Sequence, residues 1–168
     1  DIREENRNAG TRTAQLQAWL ESQFPNEPFS LTPASADASF RRYFRITFAD
    51  GRPTRIVMDA PPSHEDCRPW LHVEQLFRAA GTHVPEVFAA DLAQGFLLLS
   101  DLGSTTYLSV IDAENAPALY GEAVDALIRI QQASRPGELP LYDEALLLRE
   151  LNLFPEWYVG KHLGKTLS

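Results

Sequence analysis

The chain has 168 residues, of which 44% are hydrophobic and 23% are charged, a balance typical of folded globular proteins. Its formal net charge of −8 argues against a protein that binds nucleic acid or anionic membranes, because such proteins present a basic face. The single cysteine, Cys67, excludes an internal disulfide, and we see neither a signal-like N-terminus nor an apolar run of membrane-spanning length. We therefore expect a cytoplasmic protein with no nucleic-acid or membrane partner.

The first part of the sequence predicts one helix and then three strands. Apolar residues recur at helical spacing from about Thr11, whereas residues 1–10 are polar and are predicted to be a flexible N-terminus. Asp50-Gly51 favours a hairpin turn, because Asp-Gly pairs readily adopt the positive φ angles that such turns require. The predicted strands cover residues 29–32, 40–48 and 54–60, and the small residues 35–39 follow the first of them.

The rest of the chain predicts a helix, two more strands and then helices only. The predicted helices cover residues 67–80, 107–111, 117–132 and about 142–157, and the predicted strands cover residues 86–92 and 96–100. Because strands and helices are segregated along the chain rather than alternating, the sequence predicts an α+β fold.

The last predicted strand ends abruptly at a polar breaker. Residues 96–103 read FLLLSDLG, an apolar run followed by Ser-Asp-Leu-Gly and then by amphipathic helices. This order is typical of a joint between a β-rich lobe and a helical one, where the backbone groups at the strand end face a cleft. The same residues are also compatible with an ordinary strand of a sheet.

Arg42 interrupts the alternation of the second strand. The even positions Phe40, Phe44, Ile46 and Phe48 are apolar and predict the buried face, and Arg42 lies among them. A charge at a core-facing position is costly unless it is paired. Arg42 therefore either lies at a sheet edge and extends to water, or faces a cleft that holds an anion.

The third strand and the following helix offer further candidates for that cleft. Ile56, Met58 and Ala60 share one face of the strand, so Ile56 could contact a bound base with Met58 deeper in the cleft. Glu74, in the helix, is either a solvated residue or a partner for an inward cation. On this second interpretation, Arg42 is the inward cation that the strands supply.

Several segments carry a resemblance to a known family. They read SADASFRRYFRI at 35–46, IVMDAPP at 56–62, VPEVFAADL at 84–92 and DLG at 101–103. They resemble the aminoglycoside-phosphotransferase-like kinases, and more closely the bacterial cell-wall amino-sugar kinases, which phosphorylate N-acetylmuramate and N-acetylglucosamine at the anomeric hydroxyl. The resemblance implies a protein-kinase-like N-terminal lobe at 11–100, with a five-stranded antiparallel sheet and a helix, a hinge at 101–104, and an incomplete helical lobe at 105–168.

The resemblance also implies roles for individual residues, with ATP and Mg²⁺ as the cofactors. Ser100 C=O and Leu102 N–H would bind adenine, with Leu99 behind it, and the lysine expected on the third strand is replaced by Met58. We therefore expect Arg42 to supply the missing charge. The implied nucleotide-binding residues are Ser35, Asp37, Ala38, Ser39, Arg42, Ile56, Met58, Glu74, Leu99, Ser100 and Leu102.

The residues that catalyse transfer are not predicted within this chain. The sequence His64-Glu65-Asp66 lacks an asparagine five residues after Asp66, where Leu71 stands, and precedes the hinge. We expect the catalytic aspartate and the Mg²⁺ ligands beyond Ser168, and we expect the chain alone to be inactive. The alternatives are a kinase for an aminoglycoside or another small alcohol, and a non-catalytic nucleotide-binding or interaction module.

The C-terminal helices predict one further property. Their apolar residues would be exposed in the absence of partners, and exposed apolar patches promote association. We therefore expect either a disordered C-terminal part or self-association through a surface that contains Leu146, Leu147, Leu151, Phe154 and Trp157.

Overall fold

A computed structural model describes residues 2–36 and 39–167 of the chain. These residues form five strands, five α-helices and, last in chain order, a π-helix. In chain order these elements are α1 (Ile2–Gln23), β1 (Phe29–Ala36), β2 (Arg42–Phe48), β3 (Arg55–Asp59), α2 (Cys67–Ala79), β4 (Val87–Asp91), β5 (Phe96–Ser100), α3 (Tyr107–Val110), α4 (Ala116–Ala133), α5 (Glu144–Leu153) and the π-helix (Phe154–His162).

The strands form one antiparallel sheet in the order β1-β2-β3-β5-β4. Strands β2 and β3 pair with Tyr43 opposite Met58 and Arg45 opposite Ile56. Because directly paired residues share a face, these four side chains lie on one side of the sheet. The other side carries Phe44 opposite Val57, so the register assigns every residue of β2 to a face.

Helix α1 covers the face of the sheet that carries the even-numbered residues of β2. Its residues Leu16, Trp19 and Leu20 are buried against Ile46 and Phe48, as the helical and strand periodicities predict. Removing this apolar surface from water stabilises the packing of α1 on the sheet. The predicted buried face of β2 is therefore the face that meets α1.

Helix α2 lies against part of the opposite face. Met58, Leu97 and Leu99 are buried there with Cys67, which begins α2, and Trp70 packs against this cluster. Asp66 caps α2 by accepting a hydrogen bond from the backbone N–H of Arg68. Helix α2 leaves space on this face beside β5, where the cavity described below is found.

Gly95, in the turn between β4 and β5, allows a close approach of two backbone segments. Its φ is +74°, and a Cβ added there would lie 1.9 Å from the carbonyl oxygen of Ala60. The two segments are also joined by a hydrogen bond, in which the Ala60 N–H donates to the Gly95 carbonyl at 2.8 Å. This turn fixes the end of β3 beside the start of β5.

The chain divides into two units, Asp1–Ala133 and Ser134–Ser168. The second unit contains α5 and the π-helix, and its large apolar side chains Leu147, Leu151, Phe154 and Trp157 are exposed. Leu146, the fifth residue of the predicted association surface, is half-buried. Among the described helices, none is long and apolar enough to cross a membrane.

The structure confirms the predicted α+β class with a five-stranded antiparallel sheet. Most bounds differ by one or two residues, and the last predicted helix divides into α5 and the π-helix, but two elements differ by more. Helix α1 begins at Ile2 rather than near Thr11, and β1 continues to Ala36, where a loop was expected. The strand is longer because Ser35 pairs with Tyr43 across a bulge that follows Pro33.

Candidate functional site

A cavity of about 500 Å³ opens beside the C-terminal end of β5, within the first unit. The sheet contributes Tyr43 and Arg45 from β2, Ile56 from β3 and Leu99 from β5. These residues share the face opposite α1, as the register requires. The cavity therefore combines an apolar wall with a polar strand end.

The segment after β5 closes one side of this cavity. Residues 100–106 line it continuously, including Ser100 and Leu102. Ser100 is held by strand-like bonds to Glu86: its N–H donates to the Glu86 carbonyl at 2.9 Å, and its Oγ accepts from the Glu86 N–H at 2.8 Å. The start of this segment is thus fixed relative to the sheet.

Five of the eleven residues predicted to bind nucleotide line this cavity together. They are Ser35, Ile56, Leu99, Ser100 and Leu102. Asp37 and Ala38 lie outside the described residues. Ser39 does not line the cavity, and its hydroxyl oxygen accepts a hydrogen bond from the backbone N–H of Arg41 at 3.2 Å. The binding roles of all these residues remain predictions.

The structure corrects the prediction that Arg42 faces the cleft. Arg42 lies on the α1 side of the sheet, opposite the fully buried Asp59, and donates to its carboxylate from Nε at 3.1 Å and also from Nη2. Arg12 of α1 donates to the same carboxylate from Nε at 2.8 Å. The alternative of an edge position is also wrong, because β2 lies between β1 and β3.

Met58 and Glu74 do not line this cavity either. Met58 is fully buried in the cluster with Cys67 and Leu97, so its side chain packs in the core. Glu74 is almost completely buried and pairs with Arg78 one turn along α2, at 2.7 Å from Nε and 2.6 Å from Nη2. Glu74 is therefore neither solvated nor paired with Arg42, which corrects both sequence interpretations.

Asp101 ties the segment after β5 to the sheet. Its carboxylate accepts hydrogen bonds from Arg45 Nε at 2.5 Å, Arg45 Nη2 at 3.2 Å, Thr54 Oγ1 at 2.7 Å and the Gly103 N–H at 2.8 Å. The hydrogen bonds from Arg45, with smaller contributions from Thr54 and Gly103, lower the pKa of Asp101 to about 2 against the opposing effect of burial. Asp101 is therefore ionised at neutral pH.

A second cavity, of about 630 Å³, lies beside α2, which contributes the predicted residue Glu74 to its lining. It shares Trp70 and Pro85 with the first cavity, and α2 adds the apolar residues Val73 and Phe77. Arg41, directly before β2, also lines it. The two cavities are thus neighbours with a common wall.

Arg41 is a cationic side chain that lines the second cavity. Its Nε donates to Glu65 at 3.2 Å, and it also forms a side-chain hydrogen bond with Tyr43. Burial lowers the pKa of Arg41, but the hydrogen bonds with Tyr43 and Glu65 and the charge of Glu65 more than compensate, so that its pKa is raised. Arg41 therefore carries its charge at neutral pH.

The residues of these two sites that the sequence did not predict include Tyr43, Arg45, Trp70 and Pro85. Tyr43 and Arg45 lie at odd positions of β2, whereas the sequence predicts the cleft on the face of the even positions. The predicted Asp-Gly hairpin contained the missing signal, since its register places Arg45 beside Ile56. Trp70 and Pro85 reach the cavity only through tertiary packing, for which the sequence offers no local pattern.

No group of three His, Cys, Asp or Glu residues suited to a metal ion occurs in the part of the chain that the structure describes. The carboxylates near the cavities are instead paired with arginines, as Glu65, Glu74 and Asp101 illustrate. The described residues therefore do not fit a Mg²⁺ site.

The sequence profile of the phosphotransferase enzyme family matches residues 30–167 of the chain. The chain belongs to this family. The match includes all five strands and both cavities, apart from the first residue of β1. The predicted resemblance is thereby confirmed, and so is the kinase-like arrangement of a five-stranded antiparallel sheet with helices.

Individual relatives of this phosphotransferase-family chain carry a more specific name. The chain is 51% identical to the N-acetylmuramate/N-acetylglucosamine kinase of Pseudomonas aeruginosa, over 94% of the chain and 49% of the relative. Its identity to the enzyme of the same name from Neisseria meningitidis is 47%, over 94% of the chain and 47% of the relative. The chain spans about half the length of the curated relatives it matches.

Proposed function

We propose that the complete protein carrying this chain is an ATP-dependent kinase that phosphorylates the anomeric hydroxyl of N-acetylmuramate or N-acetylglucosamine. The observation that carries the proposal is the cavity beside β5, which places the apolar side chains of Ile56 and Leu99 next to the backbone of residues 100–102. An adenine ring needs such a site, with apolar contacts for its faces and backbone groups for its edge. The similarity to named amino-sugar kinases supports the acceptor.

In the proposed reaction, the γ-phosphoryl group of ATP moves to the anomeric oxygen of the sugar, the hydroxyl proton is released, and ADP leaves. The residues of this chain bind and orient the nucleotide: Ser100 C=O and Leu102 N–H contact the adenine edge, and Ile56 and Leu99 contact its faces. We assign the catalytic aspartate and the Mg²⁺ ligands to the part of the complete protein that this chain does not span, since the chain covers about half of its relatives' length. Mg²⁺ would neutralise charge on the phosphates when bound. A cytoplasmic location, where ATP is available, is part of the same proposal.

The direct test incubates the complete protein with ATP and single acceptors. N-acetylmuramate, N-acetylglucosamine, an aminoglycoside and choline form the panel, and ³¹P NMR follows the products. We expect ADP together with a phosphate signal coupled to the anomeric proton of the two amino sugars. Phosphorylation of the aminoglycoside or choline alone would favour the alternative acceptors. No transfer to any acceptor, with ATP still bound, would favour a non-catalytic module.

A pair of neighbouring substitutions in β3 tests the position of the nucleotide. Ile56→Ala removes apolar surface from the cavity wall, and we expect the KM for ATP to rise about threefold to tenfold with little change in kcat. Val57→Ala is the matched control, because Val57 is fully buried on the α1 side of the same strand. It should lower the melting temperature and leave the KM unchanged. An equal KM in the wild type and Ile56→Ala would contradict the assigned site.

Self-association of the 168-residue chain is also proposed. The exposed side chains of Leu147, Leu151, Phe154 and Trp157 support it, since exposed apolar surface favours contact between copies. Light scattering of the isolated chain should show species larger than a monomer, and Leu151→Glu should shift them towards the monomer. A monodisperse monomer at high concentration would contradict the proposal.

A further inference from the structure

We propose that Arg41 binds the α- or β-phosphate of the nucleotide and so supplies the positive charge that β3 lacks at Met58. The proposal rests on the proposed function and deepens it, since it assigns a residue to the phosphate end of the same cleft. Arg41 takes the role that was predicted for Arg42, because Arg42 is paired with Asp59 on the other side of the sheet.

The position of Arg41 follows from the alternation of β2. Arg45 and Tyr43 line the cavity beside β5, and Arg41 is the next residue in the same alternating series. Arg41 lines the second cavity together with Trp70 and Pro85, which also line the cavity that contains Tyr43 and Arg45. We expect the phosphates of an ATP molecule with adenine at residues 100–102 to extend along this face towards the start of β2, which Arg41 directly precedes.

The backbone at Arg41 is positioned beside the end of β1. The Arg41 N–H donates to the hydroxyl of Ser39 at 3.2 Å, and Ser35 at the end of β1 lines the adenine cavity. Ser35 therefore lines the first cavity and Arg41 the second, on neighbouring sides of the same cleft.

The guanidinium of Arg41 is oriented but not fully occupied. Its contact with Glu65 uses Nε, and 30% of the side chain is exposed. A guanidinium has five N–H donors, so the groups on the terminal nitrogens can bind phosphate oxygens. Glu65, whose side chain is 15% exposed, fixes the direction of the fork at a distance of 3.2 Å.

Other cations and anions around the two cavities are already paired. Arg45 is bound to Asp101 and to the Gly103 carbonyl, and Arg78 is bound to Glu74 and the Pro85 carbonyl. The carboxylate of Asp66 in the second cavity is likewise paired, with Arg68. A bound phosphate would therefore meet the Arg41 charge without facing an unpaired carboxylate among these described residues.

The test compares a ligand that carries phosphates with one that does not. Titration of the complete protein with ADP and with adenosine, both without divalent metal, isolates the phosphate contribution. For Arg41→Ala we expect the Kd for ADP to rise about tenfold or more and the Kd for adenosine to stay unchanged, because a charge-assisted contact is lost. Arg41→Lys keeps the charge without the planar fork and should give an intermediate Kd for ADP.

Arg52→Ala is the matched control. Arg52 is also paired with a carboxylate, that of Glu27, and its side chain is 37% exposed, but neither Arg52 nor Glu27 lines either cavity. Its removal should change neither Kd.

Each of the following outcomes would overturn the proposed role of Arg41. If the wild type binds ADP more tightly than adenosine and Arg41→Ala keeps that difference, the assignment of Arg41 is overturned while the proposed function stands. An equal rise in the Kd for both ligands in Arg41→Ala would likewise overturn the charge-based role. The same holds if Arg41→Lys binds ADP as weakly as Arg41→Ala does. If the wild type binds neither ligand, the proposed function fails together with this assignment.

Discussion

Arg45 and Asp101 connect the middle of β2 to the segment that follows β5 through two hydrogen bonds, at 2.5 Å from Nε and 3.2 Å from Nη2. Arg45 lies in the cavity wall, and Asp101 directly precedes Leu102, whose N–H is proposed to bind adenine. The side chain of Asp101 is 6% exposed, so solvent screens the pair little. The pair therefore fixes the polar edge of the cavity relative to its apolar wall.

Asp101→Asn should weaken ATP binding about threefold to tenfold. The amide retains the shape of the carboxylate but weakens the hydrogen bonds from Arg45 and Gly103, so residues 101–103 are held less firmly. Equilibrium titration with ATP measures the change. Asp91→Asn is the control, because Asp91 makes comparable bonds to Gln94 in the turn after β4, away from the cavity. Equal effects of the two substitutions would contradict a positioning role for Asp101.

The same pair predicts a pH dependence of stability. The pKa of Asp101 falls from 3.8 to about 2 on folding, chiefly through the hydrogen bonds from Arg45. Because the folded-state pKa is the lower one, the contribution to the free energy of unfolding is complete above about pH 4 and is lost as the pH falls towards 2. It amounts to about 2 kcal/mol at neutral pH.

Denaturant unfolding of the wild type and Asp101→Asn between pH 7 and pH 3 measures this contribution. The difference in unfolding free energy between the two proteins should be largest at neutral pH and should shrink below pH 4. A difference that stays constant over this range would show that the ionised carboxylate does not stabilise the fold.

Arg42→Ala should destabilise the protein without changing its affinity for ADP. The substitution leaves the buried carboxylate of Asp59 with Arg12 as its remaining described arginine partner, and the expected loss is about 1–3 kcal/mol of unfolding free energy. Thermal unfolding and ADP titration of the same variant separate the two effects. Weaker ADP binding with unchanged stability would instead show that Arg42 binds the nucleotide.

Gly95→Ala should be far more destabilising than Gly51→Ala. Both glycines have a φ of +74°, so both variants carry the same backbone penalty for an L-residue. At Gly95 the new Cβ also lies 1.9 Å from the Ala60 carbonyl oxygen, whereas at Gly51 no atom lies within 4 Å. The backbones of the turn and of the end of β3 must separate to accommodate it.

Chemical unfolding of the two glycine variants gives the comparison. The expected loss of unfolding free energy at Gly51 is about 1–2 kcal/mol, and the loss at Gly95 exceeds it by several kcal/mol or prevents folding. Similar losses at both positions would mean that the close approach at Gly95 is not required.

Local patterns in the sequence were sufficient to predict the strands and helices and the two faces of β2. The predicted alternation correctly grouped Arg42 with Phe44, Ile46 and Phe48. It could not reveal that α1 covers this face, because the packing of α1 depends on contacts between residues far apart in sequence. The cleft was therefore placed on the wrong face of β2, and Arg42 was preferred to Arg41 and Arg45.

The apolar part of the candidate site was more predictable than its charged part. Ile56 follows from strand alternation, whereas the resemblance to the kinase family implies Leu99, Ser100 and Leu102 at the position where β5 ends. The pairs Arg45–Asp101, Arg41–Glu65 and Arg78–Glu74 depend on register, on side-chain length and on the placement of α2. Glu74 in particular had a partner four residues away that the sequence already contained.

A crystal structure of the complete protein with a non-hydrolysable ATP analogue tests the proposed nucleotide site most directly. We predict adenine between Ile56 and Leu99, with hydrogen bonds to Ser100 C=O and Leu102 N–H, and phosphates that extend along β2 away from Arg45. A nucleotide bound elsewhere, with the cavity beside β5 empty, would contradict it.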